Sequence, residues 1–184
     1  AEVVQANEIL ERIKEEFRLK QIPFNEDIEV GAMIETPSSA ICADLLLKEV
    51  DFISIGTNDL IQYLLAVDRI NENVAHLYKP FHPAVLKTLK SVFEAAKAAG
   101  KKVSICGELG GDPMATLFLL GLGNLTDLSM DPHSIPKVKK IICQSSMEEA
   151  KQIADHVLSL GSGDAVNNFL GEEMWKRFPS DFPR

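Results

Sequence analysis

"SIGTNDLIQYLLAVDR", residues Ser54 to Arg69, changes character twice. With the preceding "VDFI" it starts as an apolar, β-branched run of the kind that forms a buried strand, and it breaks at Gly56. Thr57, Asn58 and Asp59 then stand side by side before an amphipathic stretch that ends in Asp68 and Arg69. A carboxylate and an amide directly beyond a buried strand call for a reason, and the flanking sequence supplies one.

Upstream, "EVGAMIET" (Glu29 to Thr36) is another short, mostly apolar run closed by Pro37. Downstream, "KVSICG" and "LTDLSM" repeat the pattern. Between these runs lie helical segments. "NEILERIKEEFRLK" spaces Ile9, Leu10, Ile13, Phe17 and Leu19 at helical intervals, and Ser38 and Ser39 are placed to cap a helix through "AICADLLLKE". "PAVLKTLKSVFEAAKAAG" has Pro at its start and Gly at its end, and "DPMATLFLLGLG" separates the third and fourth strands. Strand and helix alternate four times, which predicts parallel strands joined by right-handed crossovers and therefore an α/β fold. After Met130 only helical patterns follow, with "GSG" (Gly161 to Gly163) as a hinge.

The 184 residues are 46% hydrophobic, enough for a core, and carry a net charge of −8. That charge opposes an electrostatic partnership with nucleic acid or an anionic membrane. The densest basic run, "KVKK" (Lys137 to Lys140), reads as a solvated helix face. No stretch approaches the length of a membrane span and no signal peptide opens the chain, so a cytoplasmic protein without membrane insertion is expected. The chain begins at Ala1 rather than Met, and a piece of something longer is expected. Cys42, Cys106 and Cys143 are odd in number without a C-x-x-C spacing, so neither a disulfide framework nor a zinc site is indicated.

In parallel α/β proteins, ligands meet the carboxyl ends of the strands. Glu35, the Thr57–Asn58–Asp59 trio, Cys106 with Gly107 and Glu108, and Ser129 with Asp131 fall there. Neighbouring strands lie about 4.8 Å apart, so Glu35 and Asp59 are candidates to share a Mg2+ ion, which accepts one or two carboxylates plus water and phosphate oxygens. The plainer alternatives are that Asp59 caps the helix starting near Leu60 and that Glu35 pairs with a lysine. Arg69 is a candidate phosphate partner, or else a salt-bridge partner of Asp68 or Glu72. Cys106 ends a strand at the same rim, whereas Cys42 and Cys143 lie in helical patterns and read as small, inert hydrophobes. His76 and His82 read as structural.

Five blocks carry a more specific signal: "GAMIETP", "DFISIGTNDLIQYLLAVDR", "HPAVL", "ICGELGGDP" and "LSMDPHSIPKVKKII". In this order they resemble the carboxyl-terminal half of enzyme I of the phosphoenolpyruvate:sugar phosphotransferase system, the phosphoenolpyruvate-protein phosphotransferase family. The likeness runs from about Glu29 to Ile142 and more loosely beyond. It implies the second half of a TIM-type (β/α)8 barrel, about four βα units, in residues 1–133, and a carboxyl-terminal helical segment in 134–184. By the same resemblance Glu35 and Asp59 are Mg2+ ligands, Asn58, Asp59 and Arg69 bind phosphoenolpyruvate, and Cys106 is the proton donor that completes pyruvate.

The resemblance further implies a phosphoryl acceptor histidine in an amino-terminal domain with no counterpart here, a phosphocarrier protein downstream, and a homodimer. The barrel's first four strands, which bring further phosphate-binding arginines in that family, also have no counterpart. This stretch alone is therefore expected to be inactive. Pyruvate phosphate dikinase or phosphoenolpyruvate synthase, which share the barrel, is the nearest alternative, and a non-catalytic phosphoenolpyruvate-binding or dimerisation module is another. Half a barrel is also expected to leave two open sheet edges and an uncovered inner face of Ile, Met, Val and Leu, unless the helical tail from Ile135 to Phe178 covers part of it.

Overall fold

The computed structural model describes residues 2–182. Its centre is a four-stranded, wholly parallel sheet formed by β1 (Gly31–Ile34), β2 (Phe52–Gly56), β3 (Lys102–Cys106) and β4 (Leu125–Leu128), lying side by side in chain order. The protein is thus α/β, as the alternation of patterns predicts. Ile34, Ile55, Ile105 and Leu128 stand level across the strands, and so do Met33, Ser54, Ser104 and Asp127.

That register sorts the side chains between two faces. Ile34, Ile53, Ile55, Val103 and Ile105 are buried beneath helices. The opposite face carries Met33, Phe52, Ser54, Lys102, Ser104, Cys106 and Asp127, all partly or fully exposed. The expected inner face of Ile, Met, Val and Leu is therefore largely wrong: two-residue periodicity sends the β-branched side chains to the helical layer, leaving Met33 and Phe52 as the open face's large apolar groups.

The covering layer is built from locally specified helices. α5 (Pro83–Ala99) starts with the His82 imidazole accepting the Ala84 N–H and ends at Gly100 in the left-handed region. There the Lys101 N–H reaches the Ala96 carbonyl and the Gly100 N–H the Lys97 carbonyl, which satisfies the last turn. α5 packs on α2 (Pro37–Ile41) and α3 (Ala43–Leu46). These two replace the single helix expected there, because the chain bends at Cys42. The cap also falls earlier than Ser38 or Ser39. Thr36, held extended by the following proline, accepts the Ser39 N–H, and Pro37 takes the first helical position.

The helical segment after β4 adds to this same layer. α9 (Met147–Ser159), opened by a reciprocal Ser146–Glu149 cap, lies along α7 (Thr116–Gly121). The approach is so close that a Cβ on Gly121 would stand 2.1 Å from the Ala150 carbonyl oxygen. α8 (Ile135–Cys143) contacts α7, and α10 (Gly163–Arg177) contacts α9 while burying Val166, Leu170 and Met174. The tail therefore thickens the helical side of the sheet instead of closing its open face. α1 (Glu2–Leu19) buries no residue, and Ile9 and Ile13 remain 48% and 42% exposed.

Candidate functional site

The carboxyl ends of the strands gather the polar residues singled out above. Gly56 pairs with Cys106 across β2 and β3, and α4 (Thr57–Leu65) begins immediately beyond. Thr57 is fully buried and its hydroxyl donates to the Cys106 carbonyl at 3.0 Å. The Asn58 amide oxygen accepts the N–H of Glu108, where α6 (Glu108–Gly111) begins, at 2.9 Å. These two bonds clasp the ends of β2 and β3 together. They require Gly107, whose φ of +98° is strained for other residues and whose hypothetical Cβ would lie 2.6 Å from the Thr57 hydroxyl.

Asp59 does not cap α4. Gly56 occupies the cap without a side-chain bond, and Asp59 sits in the first helical turn, where a carboxylate also meets the positive end of the helix dipole. Its partner is Arg69: the guanidinium lies 3.8 Å from the carboxylate, with the side chains 30% and 44% exposed respectively. The salt bridges considered from sequence, to Asp68 or Glu72, do not form. Asp68 instead accepts the Ile70 N–H and shapes the turn. The Arg69 backbone N–H donates to the Gln62 side-chain oxygen at 3.2 Å.

Glu35 follows β1 and is half-buried. Its carboxylate lies over the end of β2, where a Cβ on Gly56 would come within 3.0 Å of one of its oxygens. No lysine pairs with it among the described residues. Glu35 thus has a free carboxylate above the strand that feeds directly into Asp59. Among the described residues no cluster of three or more His, Cys, Asp or Glu side chains is arranged to hold a metal. A donor set of two carboxylates suits Mg2+, which keeps waters and substrate oxygens in its remaining positions.

Cys106 is partly buried at the same rim. Its sulfur accepts from the Ser54 hydroxyl at 3.5 Å, and its thiol lies 3.5 Å from the Ile55 carbonyl and 3.7 Å from the Met33 sulfur. Cys42 and Cys143 are exposed. The expectation that they are inward-facing hydrophobes is therefore incorrect: Cys42 falls at the bend between α2 and α3, and Cys143 at the end of α8. His82 is structural, as expected, through its cap on α5.

Thr57 and Glu108 were placed at strand ends from sequence without a role, and Tyr78 was not singled out at all. Thr57 and Glu108 are joined to the site by the clasp, which pairs residues far apart in sequence. Tyr78 donates to the Asn58 carbonyl at 3.4 Å. Burial raises the pKa of its phenol, and the nearby Glu108 carboxylate pushes the same way while Arg69 opposes them. A cleft of about 400 Å³ continues from Asn58 and Glu108 toward Asp112, Met130 and Asp131. Desolvation raises the Asp112 carboxyl above the usual range, against the pull of the Met114 N–H and Lys137. Asp131 is held below it, chiefly by the Ser134 hydroxyl and the His133 N–H.

A parallel sheet with acidic and amide groups at its carboxyl ends defines a class of α/β proteins that bind ligands at that rim, and comparison with known families narrows it. A family model described as PEP-utilising enzyme, PEP-binding domain, matches residues 1–147. The chain belongs to this family. It is 46% identical over 171 residues to a phosphoenolpyruvate-protein phosphotransferase of Haemophilus influenzae, covering 93% of this chain and 30% of the relative. It is 51% identical over 161 residues to one of Buchnera aphidicola, covering 88% and 28%, and 45% identical over 171 residues to one of Bacillus subtilis, covering 93% and 30%. The chain thus spans less than a third of the length of these relatives, all of which are named as enzymes.

Proposed function

We propose that this chain is the phosphoenolpyruvate-binding part of a longer cytoplasmic phosphoenolpyruvate-protein phosphotransferase, folded as the last four βα units of a (β/α)8 barrel. The observation that carries the proposal is the rim itself: the unpaired Glu35 carboxylate, Asp59 joined to Arg69, and the Cys106 thiol converge on one end of one sheet. Identity to phosphotransferases favours this over a dikinase or synthase.

Phosphoryl transfer depends on holding the phosphate in line and balancing its charge more than on covalent help. Arg69 presents a planar guanidinium suited to bidentate phosphate binding. Asn58 and the first N–H groups of α4 face the same place, where a helix start attracts anions. Glu35 and Asp59 would hold Mg2+, which when bound supplies positive charge against the phosphate. The phosphorus–oxygen bond of phosphoenolpyruvate breaks as the phosphoryl group passes to a histidine nitrogen outside this stretch, leaving the pyruvate enolate. Cys106 then gives its thiol proton to the enolate carbon, which yields pyruvate and a thiolate. The phosphorylated histidine would next serve a phosphocarrier protein of the sugar phosphotransferase system. The reverse reaction starts with the thiolate as base.

The test is metal-dependent turnover in the full-length enzyme containing this segment. Glu35→Gln and Asp59→Asn are each expected to lower kcat/KM by at least about a hundredfold at ordinary Mg2+. Near-normal activity in either would remove that residue from the metal site. Isothermal titration of phosphoenolpyruvate with Mg2+ into this chain and into the full-length protein separates binding from catalysis, and the chain alone is expected to transfer no phosphate.

A further inference from the structure

Tyr78 follows the short 3-10 turn Ala75–Leu77 in the connection from α4 to α5. Its ring packs against the core from a partly buried position, while its hydroxyl points to the strand ends and donates to the Asn58 carbonyl. Arg69 lies in the same connection, beyond Ala66, which is in the left-handed region. A residue on such a stretch needs anchors if its guanidinium is to stay in one place. Gln62 fixes the Arg69 backbone, but the guanidinium's ion pair with Asp59 is a loose 3.8 Å contact. If Asp59 is also engaged by a cation, that contact weakens as the site fills. The phenol has no such conflict: it is neutral, does not compete for phosphate, and is close enough for Arg69, Asp59 and Glu108 all to bear on its ionisation.

We infer that Tyr78 is a positioning residue for Arg69, its hydroxyl tied to the first turn of α4 and holding the guanidinium beside Asn58 when Asp59 is otherwise engaged. The inference rests on the phosphoenolpyruvate-binding reading above. The hydroxyl does not touch the reacting atoms, so its effect passes through Arg69 to substrate affinity rather than to the chemical step.

The experiment is Tyr78→Phe in the full-length enzyme, which keeps the ring and removes the hydroxyl, with KM and kcat for phosphoenolpyruvate measured alone and in an Arg69→Lys background. The expected result is a KM raised about tenfold with kcat within about threefold. In the Arg69→Lys background the same change should shift KM less than about twofold, because its target has already gone. An unchanged KM, an equal shift in both backgrounds, or a lower melting temperature with normal KM in the folded fraction would each overturn the inference alone. Absence of phosphoenolpyruvate turnover by the unsubstituted enzyme would overturn the functional reading and this inference together.

Discussion

Cys106 and the other two thiols separate by surroundings, not by chemistry. Cys106 is partly buried among Ser54, Met33 and the Ile55 carbonyl, whereas Cys42 and Cys143 are exposed. Labelling of this chain with a bulky maleimide is expected to modify Cys42 and Cys143 several-fold faster than Cys106, since access governs the rate; mass spectrometry of the modified peptides reads the order. If Cys106 is the proton donor proposed above, Cys106→Ala in the full-length enzyme should abolish pyruvate formation while leaving phosphoenolpyruvate affinity within a few-fold. Comparable loss of affinity would make it a packing residue. Burial also raises the Asp112 carboxyl above its usual range. A folded-state pKa above the unfolded one means that the charged form is penalised by folding, so this penalty is present at neutral pH and fades as pH falls through the raised value. Asp112→Asn keeps an acceptor for the Met114 N–H and should raise the melting temperature at pH 7, with a smaller gain in acid. An equal gain at all pH values would assign it to packing.

The elements differ in how far local sequence determines them. β2 and β3 were legible because β-branched runs between turn signals have few other outcomes, and α5 because Pro83 and Gly100 mark its ends. The break at Cys42 was not legible, since nothing between Pro37 and Glu49 forbids a continuous helix and the bend answers to packing under α5. Nor was the helical start at Thr57: the sequence placed it near Leu60, because the bonds of Thr57 and Asn58 to Cys106 and Glu108 come from the end of a strand far along the chain. Glu35, Asp59, Arg69 and Cys106 could be named from strand-end position and resemblance, whereas Tyr78 needed the fold of the connection. The α7–α9 contact yields a prediction at this scale. Gly121→Ala places a methyl group against the Ala150 carbonyl, so the two helices must separate. The expected loss is about 1–3 kcal/mol of unfolding free energy, measured by urea titration. A neutral result would show that the helices shift apart without penalty.

For the whole molecule, the sheet ends at β1 on one side and β4 on the other, with no further strand beside either among the described residues. Unpaired edges invite association, and the exposed stripe of α1 adds apolar surface. The polar open face weakens the case for burying that face between two copies, so the edges and α1 carry it. Homodimers are expected in sedimentation at micromolar concentration, and a dilution-resistant monomer with cooperative melting would overturn this. No helix among the described residues is long and apolar enough to cross a membrane.

The strands lie across the sheet in the order in which they occur along the chain. Each therefore docks beside the strand made just before it, and none has to wait for a distant segment. On a ribosome, the sheet can grow one strand at a time as the chain emerges, each new helix sealing the apolar face of the strand it follows. Parallel pairings such as Ser54 with Ser104 still have to close long loops, which slows folding, but this order lets each pairing form as soon as its second strand has left the ribosome.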